Sequence, residues 1–506
     1  MEGAEGEARE RRPQGGGEGE GGGGAGGGEG GGEPSHPSEG HEDKASSGKG
    51  YVIYQGMAAL SVGLGNMMAS MAMGYTSPAL PSMRADPSIE ITTEEESWVG
   101  AVMPLAALFG SVVAGPLVDK FGRRFTLMHL NWPYCLSWIL IASAGGVGGV
   151  VSGRVLGGMC VGVQAVVGSV FMPEMIQLEF RQVFVAFPAF FGNLGMLVSF
   201  ALGQALSWRG LARLGASLSL LPVPLLLLLP ETPQHLTRTG QREASVRALR
   251  QMRASGSAAD RAQKEIEAGA ASRAGQQQEV SALELARAPN LWPVGVAMGL
   301  MVAQQTTGIT AVVFFASTIL AAAGEGLAAS ASVFLGAINM LGTVVGIYCV
   351  AKMKRRDSLL LSTYGVVGAL LVLAAFFWAR EAGGAAMQLA NSLYLMPVVA
   401  LVAYMLCFAV GWGPVPWVFL GEGMPSQVRG KAAATVVAVN WASAFVVTKT
   451  FGWSLATLGS AATFLSYAAF TAAAAALLRP AMPETFGRST PEMDKIYRDA
   501  AGKKQQ

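Results

Sequence analysis

The sequence predicts an all-α membrane protein, with twelve transmembrane helices in two six-helix pseudo-symmetric bundles. Three observations carry this. The 506 residues are 51% hydrophobic and only 14% charged, less charge than a soluble chain of this length carries. Apolar runs of roughly 20 residues, long enough to cross a hydrocarbon core of about 30 Å, recur along the chain. Charged positions also repeat: Glu174 precedes Arg181 by the same interval as Glu422 precedes Arg429, each pair at the end of an apolar run. The second pair follows Gly413-Pro414-Val415-Pro416-Trp417. Charges are costly near a bilayer, so an acid and a base placed alike at two helix ends point to duplicated machinery, most often a secondary transporter.

Residues 1–49 are rich in Gly, Glu and Ser with almost no apolar side chains. They cannot bury enough surface to offset ordering entropy and are expected to form a disordered tail. The N-terminal bundle is expected over 50–229, with spans at 52–79, 96–118, 125–145, 147–171, 184–207 and 210–229. A polar linker follows over 230–290, where Glu243 to Arg247 and Arg261 to Glu267 read as short surface helices. The C-terminal bundle is expected over 291–482, with spans at 291–322, 328–350, 357–378, 388–420, 431–452 and 455–479, and a short tail over 483–506. Helices are required because lipid offers the backbone no hydrogen-bond partners.

The net charge of +2 matters less than its distribution. Lys120, Arg123, Arg124, Arg181, the linker, Lys352 to Arg356, Arg429 and Lys431 fall on one side. Asp86, Glu90, Glu94, Glu95, Glu96 and Glu325 fall on the other. The basic side is expected to be cytoplasmic, which puts both termini there. Cys135, Cys160, Cys349 and Cys407 lie in apolar stretches and read as packing residues. The histidines are scattered, so no metal site is expected. No nucleotide-binding motif is present, so no cofactor, catalytic residue or nucleic-acid partner is expected.

Gly115 to Arg124 joins the second and third spans. Its tight turn needs Gly122, and Asp119 can accept from a guanidinium or cap a helix. The alternative is a basic loop that only fixes topology. Arg154 stands near the start of the fourth span among glycines at four-residue spacing, which permit close helix packing. It is expected to pair with an acid at a cytoplasmic helix end, unless it merely snorkels. Pro230-Glu231-Thr232-Pro233 closes the first set of spans and Pro483-Glu484-Thr485 the second, which supports internal duplication.

Gln304 and Gln305 sit in the seventh span, where adjacent amides are costly without partners. They are either interhelical glue or sugar-binding groups, since an amide offers both donor and acceptor. Asn339 and Asn440 add further amides. Trp417 and Trp441 offer flat apolar faces to a pyranose ring, and Phe314 and Phe315 are placed to close the outer side. Each of these aromatics has a plain packing reading as well.

Together these motifs resemble the sugar porters of the major facilitator superfamily, over essentially all of 51–498. The chain is most similar to the arthropod-type facilitated trehalose transporters, on Gly74 to Ser82, Ser97 to Leu105, Gly192 to Gly195, Pro230 to Pro233 and Asn440 to Phe451. The resemblance implies two bundles around a central sugar site formed by Gln304, Gln305, Thr310, Asn339, Trp417, Asn440 and Trp441. It implies cytoplasmic latches at Asp119, Arg123, Arg124, Arg154, Glu174, Arg181, Glu231, Arg355, Arg356, Glu422, Arg429 and Glu484, which hold the outward-open state. There are departures. Thr310 stands where the family usually has Asn, and Phe314-Phe315 where it often has Tyr. Ala351 to Arg356 has lost the acid and glycine of the corresponding first-half turn, which weakens one latch. Thr76 stands where proton-linked relatives carry Asp, and the first span has no acid at all.

The implied function is facilitated diffusion of a small neutral sugar by alternating access, through a monomeric transport unit in the plasma membrane. Trehalose is the first choice of substrate and glucose or another hexose the alternative. A non-transporting sugar sensor on the same scaffold is the reading of a different class.

Overall fold

The computed structural model describes residues 50–177, 180, 184, 186–275, 290–323, 328–425, 428–488 and 490–503. The tail expected over 1–49, Arg181, Glu325 and the side chain of Arg429 lie outside the described residues. All regular elements among them are helices. The first half contains α1 (Gly50–Gly74), α2 (Thr76–Arg84), α3 (Thr93–Phe121), α4 (Arg123–Ala142), α5 (Val147–Met175), α6 (Ala186–Leu202), α7 (Trp208–Leu218) and α8 (Pro222–Leu228). The linker forms α9 (Pro233–Arg238), α10 (Arg242–Met252) and α11 (Gly256–Gly275). The second half contains α12 (Leu291–Thr306), α13 (Ile309–Phe314), α14 (Ala316–Ala323), α15 (Ala328–Lys352), α16 (Arg355–Ala382), α17 (Gly384–Ser392), α18 (Met396–Val410), α19 (Val415–Glu422) and α20 (Arg429–Ala481), with α21 (Thr490–Lys503) after it.

Nine helical stretches among the described residues are long and apolar enough to cross a membrane. One of them, within α20, is two spans. The more polar α4 and the shorter apolar α6 complete a set of twelve. The boundary within α20 differs from the sequence expectation, which put the turn near 453–454. The helix continues through that point and breaks at Gly459, whose φ is +82°. There Glu381 accepts from the backbone N–H groups of Ser460 (2.9 Å) and Ala461 (3.3 Å). A carboxylate on the free N–H groups of a helix start offsets their lost partners, and neither φ nor Glu381 is visible in local hydropathy.

Local chemistry sets the other ends. α3 opens with a capping box: Glu95 N–H donates to Thr92 Oγ1 (3.3 Å) and Thr92 N–H to the Glu95 carboxylate (2.8 Å). Such a cap is worth about 1 kcal/mol. It closes at Gly122, φ +89°, where an added Cβ would lie 2.6 Å from the Glu231 carboxylate. The glycines of α5 let it press on α3: a Cβ at Gly162 would stand 2.1 Å from the Ala107 carbonyl oxygen.

Among the described residues the first, sixth, seventh and tenth spans are each broken, the first at Tyr75 and the sixth over Ser219 to Leu221. The seventh divides at Thr307-Gly308 between α12 and α13, and the tenth over Gly411 to Pro414 between α18 and α19. Broken helices free backbone groups at membrane depth, which transporters tolerate where a cavity or ligand site lies. The halves meet where α3 packs on α20 and α6 on α15.

Candidate functional site

The amides of the seventh span have partners, and the partners are each other. Gln304 Nε2 donates to the carbonyls of Trp412 (2.8 Å) and Gly413 (2.9 Å). Its Oε1 accepts from Asn440 Nδ2 at 3.0 Å. Asn440 Oδ1 accepts from Gln305 Nε2 at 3.3 Å, and Gln305 Oε1 accepts from the Thr310 hydroxyl. All four side chains are buried. The network links the broken seventh and tenth spans to the eleventh. Gln304 satisfies carbonyls released by the break in the tenth, and Tyr404 does the same for the seventh, donating to the Thr307 carbonyl at 3.1 Å. Trp412, a residue the sequence reading passed over, is fully buried and donates from Nε1 to Thr363 at 3.1 Å.

Trp441, next to Asn440 and 9% exposed, has a buried Nε1 without an acceptor among the described residues. A buried indole N–H facing no acceptor is a cost that a sugar hydroxyl would relieve. The structure does not bring Asn339 and Trp417 into this network. Asn339 donates to Asn193 Oδ1 (2.6 Å), and Asn193 to Thr343 (2.6 Å), a polar bridge between α6 and α15 across the halves. Trp417 is 42% exposed on α19 and joins neither the network nor any ring pair among the described residues.

Phe314 and Phe315 lie at the seam between halves, against Arg154 and Gly100 of the first. Phe315 packs on Phe451 with centroids 5.3 Å apart, and its ring tip would stand 3.0 Å from a Cβ at Gly100. Around it, Ser77 and Ser317 share a hydrogen bond of 2.8 Å, and Ser97 donates to the Lys449 carbonyl at 3.1 Å. Lys449 Nζ reaches Glu94 at 2.6 Å and lies over the Trp98 ring at 4.4 Å. These contacts close the halves together toward the acidic end. None was singled out as a contact from sequence, although Ser77, Ser97 and Lys449 all fall in stretches that carried the family resemblance.

Arg154 requires a correction. α5 starts at the acidic end, so Arg154 stands far from the basic-end latches and pairs with no acid among the described residues. It is 2% exposed and donates to the Val99 carbonyl (3.1 Å), the Ala72 carbonyl and the Thr76 hydroxyl (2.7 Å), with Phe314 beneath it at 6.0 Å.

Eight of the twelve expected latch residues form two matching clusters at the basic end. In the first half Glu231 accepts from the N–H groups of Arg123 and Arg124, both at 3.0 Å, and Arg123 Nη2 reaches Glu174 at 3.0 Å. In the second half Glu484 accepts from Arg355 N–H (2.9 Å) and Arg356 N–H (3.2 Å), and Arg355 Nη2 reaches Glu422 at 3.0 Å. The duplication read from sequence is therefore geometric. The loss of acid and glycine at 351–356 has not removed this clamp, since it uses backbone N–H groups that any residue supplies. Asp119 pairs instead with Arg238 of the linker at 2.7 Å. Each cluster closes within its own half. Burial works against the Glu484 charge, but N–H donors from Phe486, Arg355, Arg356 and Thr485 hold its carboxyl below the usual range. Burial next to Arg123 keeps His235 below the ordinary histidine range, despite Glu231 nearby.

Twelve spans in two halves, clamped alike at one end and joined at the other, with a polar cluster in broken helices, define a duplicated helical membrane protein. The sequence profile described as "Sugar (and other) transporter" matches residues 44–497, and the chain belongs to this family. It is 34% identical over 447 residues to a facilitated trehalose transporter of Culex quinquefasciatus, covering 87% of this chain and 85% of that one. It is 35% identical to a facilitated trehalose transporter of Aedes aegypti and 36% to trehalose transporter 1 of Drosophila melanogaster, covering 88% of this chain in each case. The chain spans about half the length of these last two relatives, 55% and 52%. Among solved structures, the major facilitator superfamily proton:xylose symporter bound to 6-bromo-6-deoxy-D-glucose superposes with a TM-score of 0.72 at 22% identity, covering 88% of this chain and all of that one. The inward-open xylose transporter of E. coli follows at 0.71, also 22% identical, covering 87% and 98%. At that identity the likeness establishes the shared fold.

Proposed function

We propose that this protein is a facilitative sugar transporter that moves a small neutral sugar, trehalose first, by alternating access. The observation that carries the reading is the buried, uncharged network of Gln304, Gln305, Thr310 and Asn440 at two broken helices, beside the unpartnered Trp441 indole. Neutral amides and a hydroxyl exchange hydrogen bonds with sugar hydroxyls at little net cost, whereas an ion would need a counter-charge. Asn339 and Trp417, both in the second half and outside this network, are the further candidates for sugar contact. The names of the relatives favour trehalose, with glucose or another hexose as the alternative. With the basic end in the cytosol of a plasma-membrane protein, contacts at the acidic end shut the outer side and Phe314 and Phe315 form its gate. The clusters at the basic end, each satisfied within its own half, correspond to a cytosolic side that has opened. On closure, Glu174 and Glu422 are offered to Arg181 and Arg429. Titration of the purified protein with trehalose, glucose and sorbitol, read by tryptophan fluorescence, tests the site. Saturable quenching by trehalose, lost in Asn440→Ala, is expected. No response to either sugar counts against it.

A further inference from the structure

One cleft is not used by this transport reading. α16 and the last span of α20 part near the basic end around a cavity of about 680 Å³. Leu360, Tyr364 and Val367 line it from α16 at helical spacing, and Ala472 and Ala476 from α20; Arg356 and Arg479 stand at its mouth. No acid lines it. Tyr364 is 73% exposed, and Leu361 (53%) and Leu477 (73%) flank it, a surface that only lipid or another apolar body covers. From Arg356 to Val367 the cleft runs about 16 Å at 1.5 Å per residue, about the depth of one leaflet of a 30 Å core. Arg356 is fixed by its Nε bond to the Met482 carbonyl at 2.6 Å, which leaves its terminal N–H groups for another acceptor. Arg479 makes no ion pair among the described residues.

We propose that this cleft binds one anionic phospholipid, its phosphate on Arg356 and Arg479 and an acyl chain along Leu360, Tyr364, Val367 and Ala476. Two cations at one mouth complement a phosphate and repel a second copy of the chain presenting the same pair. An apolar groove of leaflet depth suits an acyl chain and gives no hold to a free phosphate.

The test uses the full chain purified in detergent, with native mass spectrometry and melting curves on adding phosphatidylglycerol, phosphatidylcholine of the same chains, or glycerol phosphate. One phosphatidylglycerol should bind about tenfold more tightly than phosphatidylcholine, whose choline cation cancels the phosphate charge and is repelled by the two arginines. Arg479→Gln should erase that preference, and Ala476→Trp should block binding of either lipid. Lipid-free melting of each variant reports its folding, and either folded variant decides the matter alone. Equal binding of the two lipids, wild-type binding in a folded variant, or glycerol phosphate competing as well as the lipid would overturn the proposal. So would light scattering that shows a dimer dissociated by Ala476→Trp.

Discussion

Arg154 Nη2 donates to the Thr76 hydroxyl at 2.7 Å, a fully buried cation held by a neutral partner in the first span. Two carbonyls and the face of Phe314 complete its surroundings. A buried guanidinium satisfied without a carboxylate leaves no titratable acid to load and unload a proton beside it. Uptake should therefore follow the sugar gradient and ignore an imposed pH gradient. Accumulation above equilibrium on acidifying the outside, abolished by a protonophore, would contradict this.

Gln304 ties the buried amide network, the proposed sugar site, to the break in the tenth span. Gln304→Ala should leave the Trp412 and Gly413 carbonyls and a sugar hydroxyl without this donor, weakening sugar binding by roughly 1–3 kcal/mol. Calorimetric titration of the purified variant checks the loss; wild-type affinity would remove Gln304 from the site.

The partial legibility of this site has a physical basis. Adjacent amides in an apolar run announce themselves, because burying them unpaired is costly, so the sequence marks Gln304 and Gln305 as residues that need partners. Their linkage through Asn440 is not legible there, since it depends on where three helices meet. The twelve spans followed from hydropathy, but the last boundary did not, because Glu381 and the positive φ of Gly459 set it. Arg154 was misplaced because a charged residue near a helix end reads alike from either end until the fold shows the carbonyls that surround it.

The seal at the acidic end is built partly from exposed charge. The Glu94 side chain is 74% exposed and that of Lys449 is 23%, so solvent screens their pair and it adds little. Lys449→Met should shift the population toward opening on that side by less than about fivefold. Labelling of a cysteine at Thr318, in a background without the native cysteines, reads it from outside. No change, together with salt-independent labelling in the wild type, would remove the pair from the seal.

Glu422→Gln should destabilise the second half, because the Arg355 side chain it leaves behind is only 8% exposed. With Glu422 itself 38% exposed, the cost is about 1–2 kcal/mol, discounted for solvent screening. A melting temperature equal to wild type would show that Glu484 and the carbonyls near Arg355 suffice without it.

Asp86 anchors the loop between α2 and α3. The Ser88 hydroxyl and N–H, then the Trp208 indole, hold its carboxyl at about 2 against an ordinary 3.8, with Arg209 adding to the effect. A depressed carboxylate contributes stability that is complete above the unfolded pKa and is lost as pH falls through the folded one. The difference in melting temperature between wild type and Asp86→Asn should hold from neutral pH down to 3.8 and shrink toward about 2. A difference that shrinks at higher pH would place the anchor elsewhere.

The most direct test of facilitated sugar transport is counterflow. Proteoliposomes preloaded with unlabelled trehalose are diluted into labelled trehalose, with labelled glucose in parallel. The structure predicts a transient influx of label that a protonophore leaves unchanged and that Asn440→Ala suppresses. Label entering no faster than into protein-free vesicles, for trehalose and glucose alike, while the purified protein still binds sugar, would contradict transport and leave a sensor.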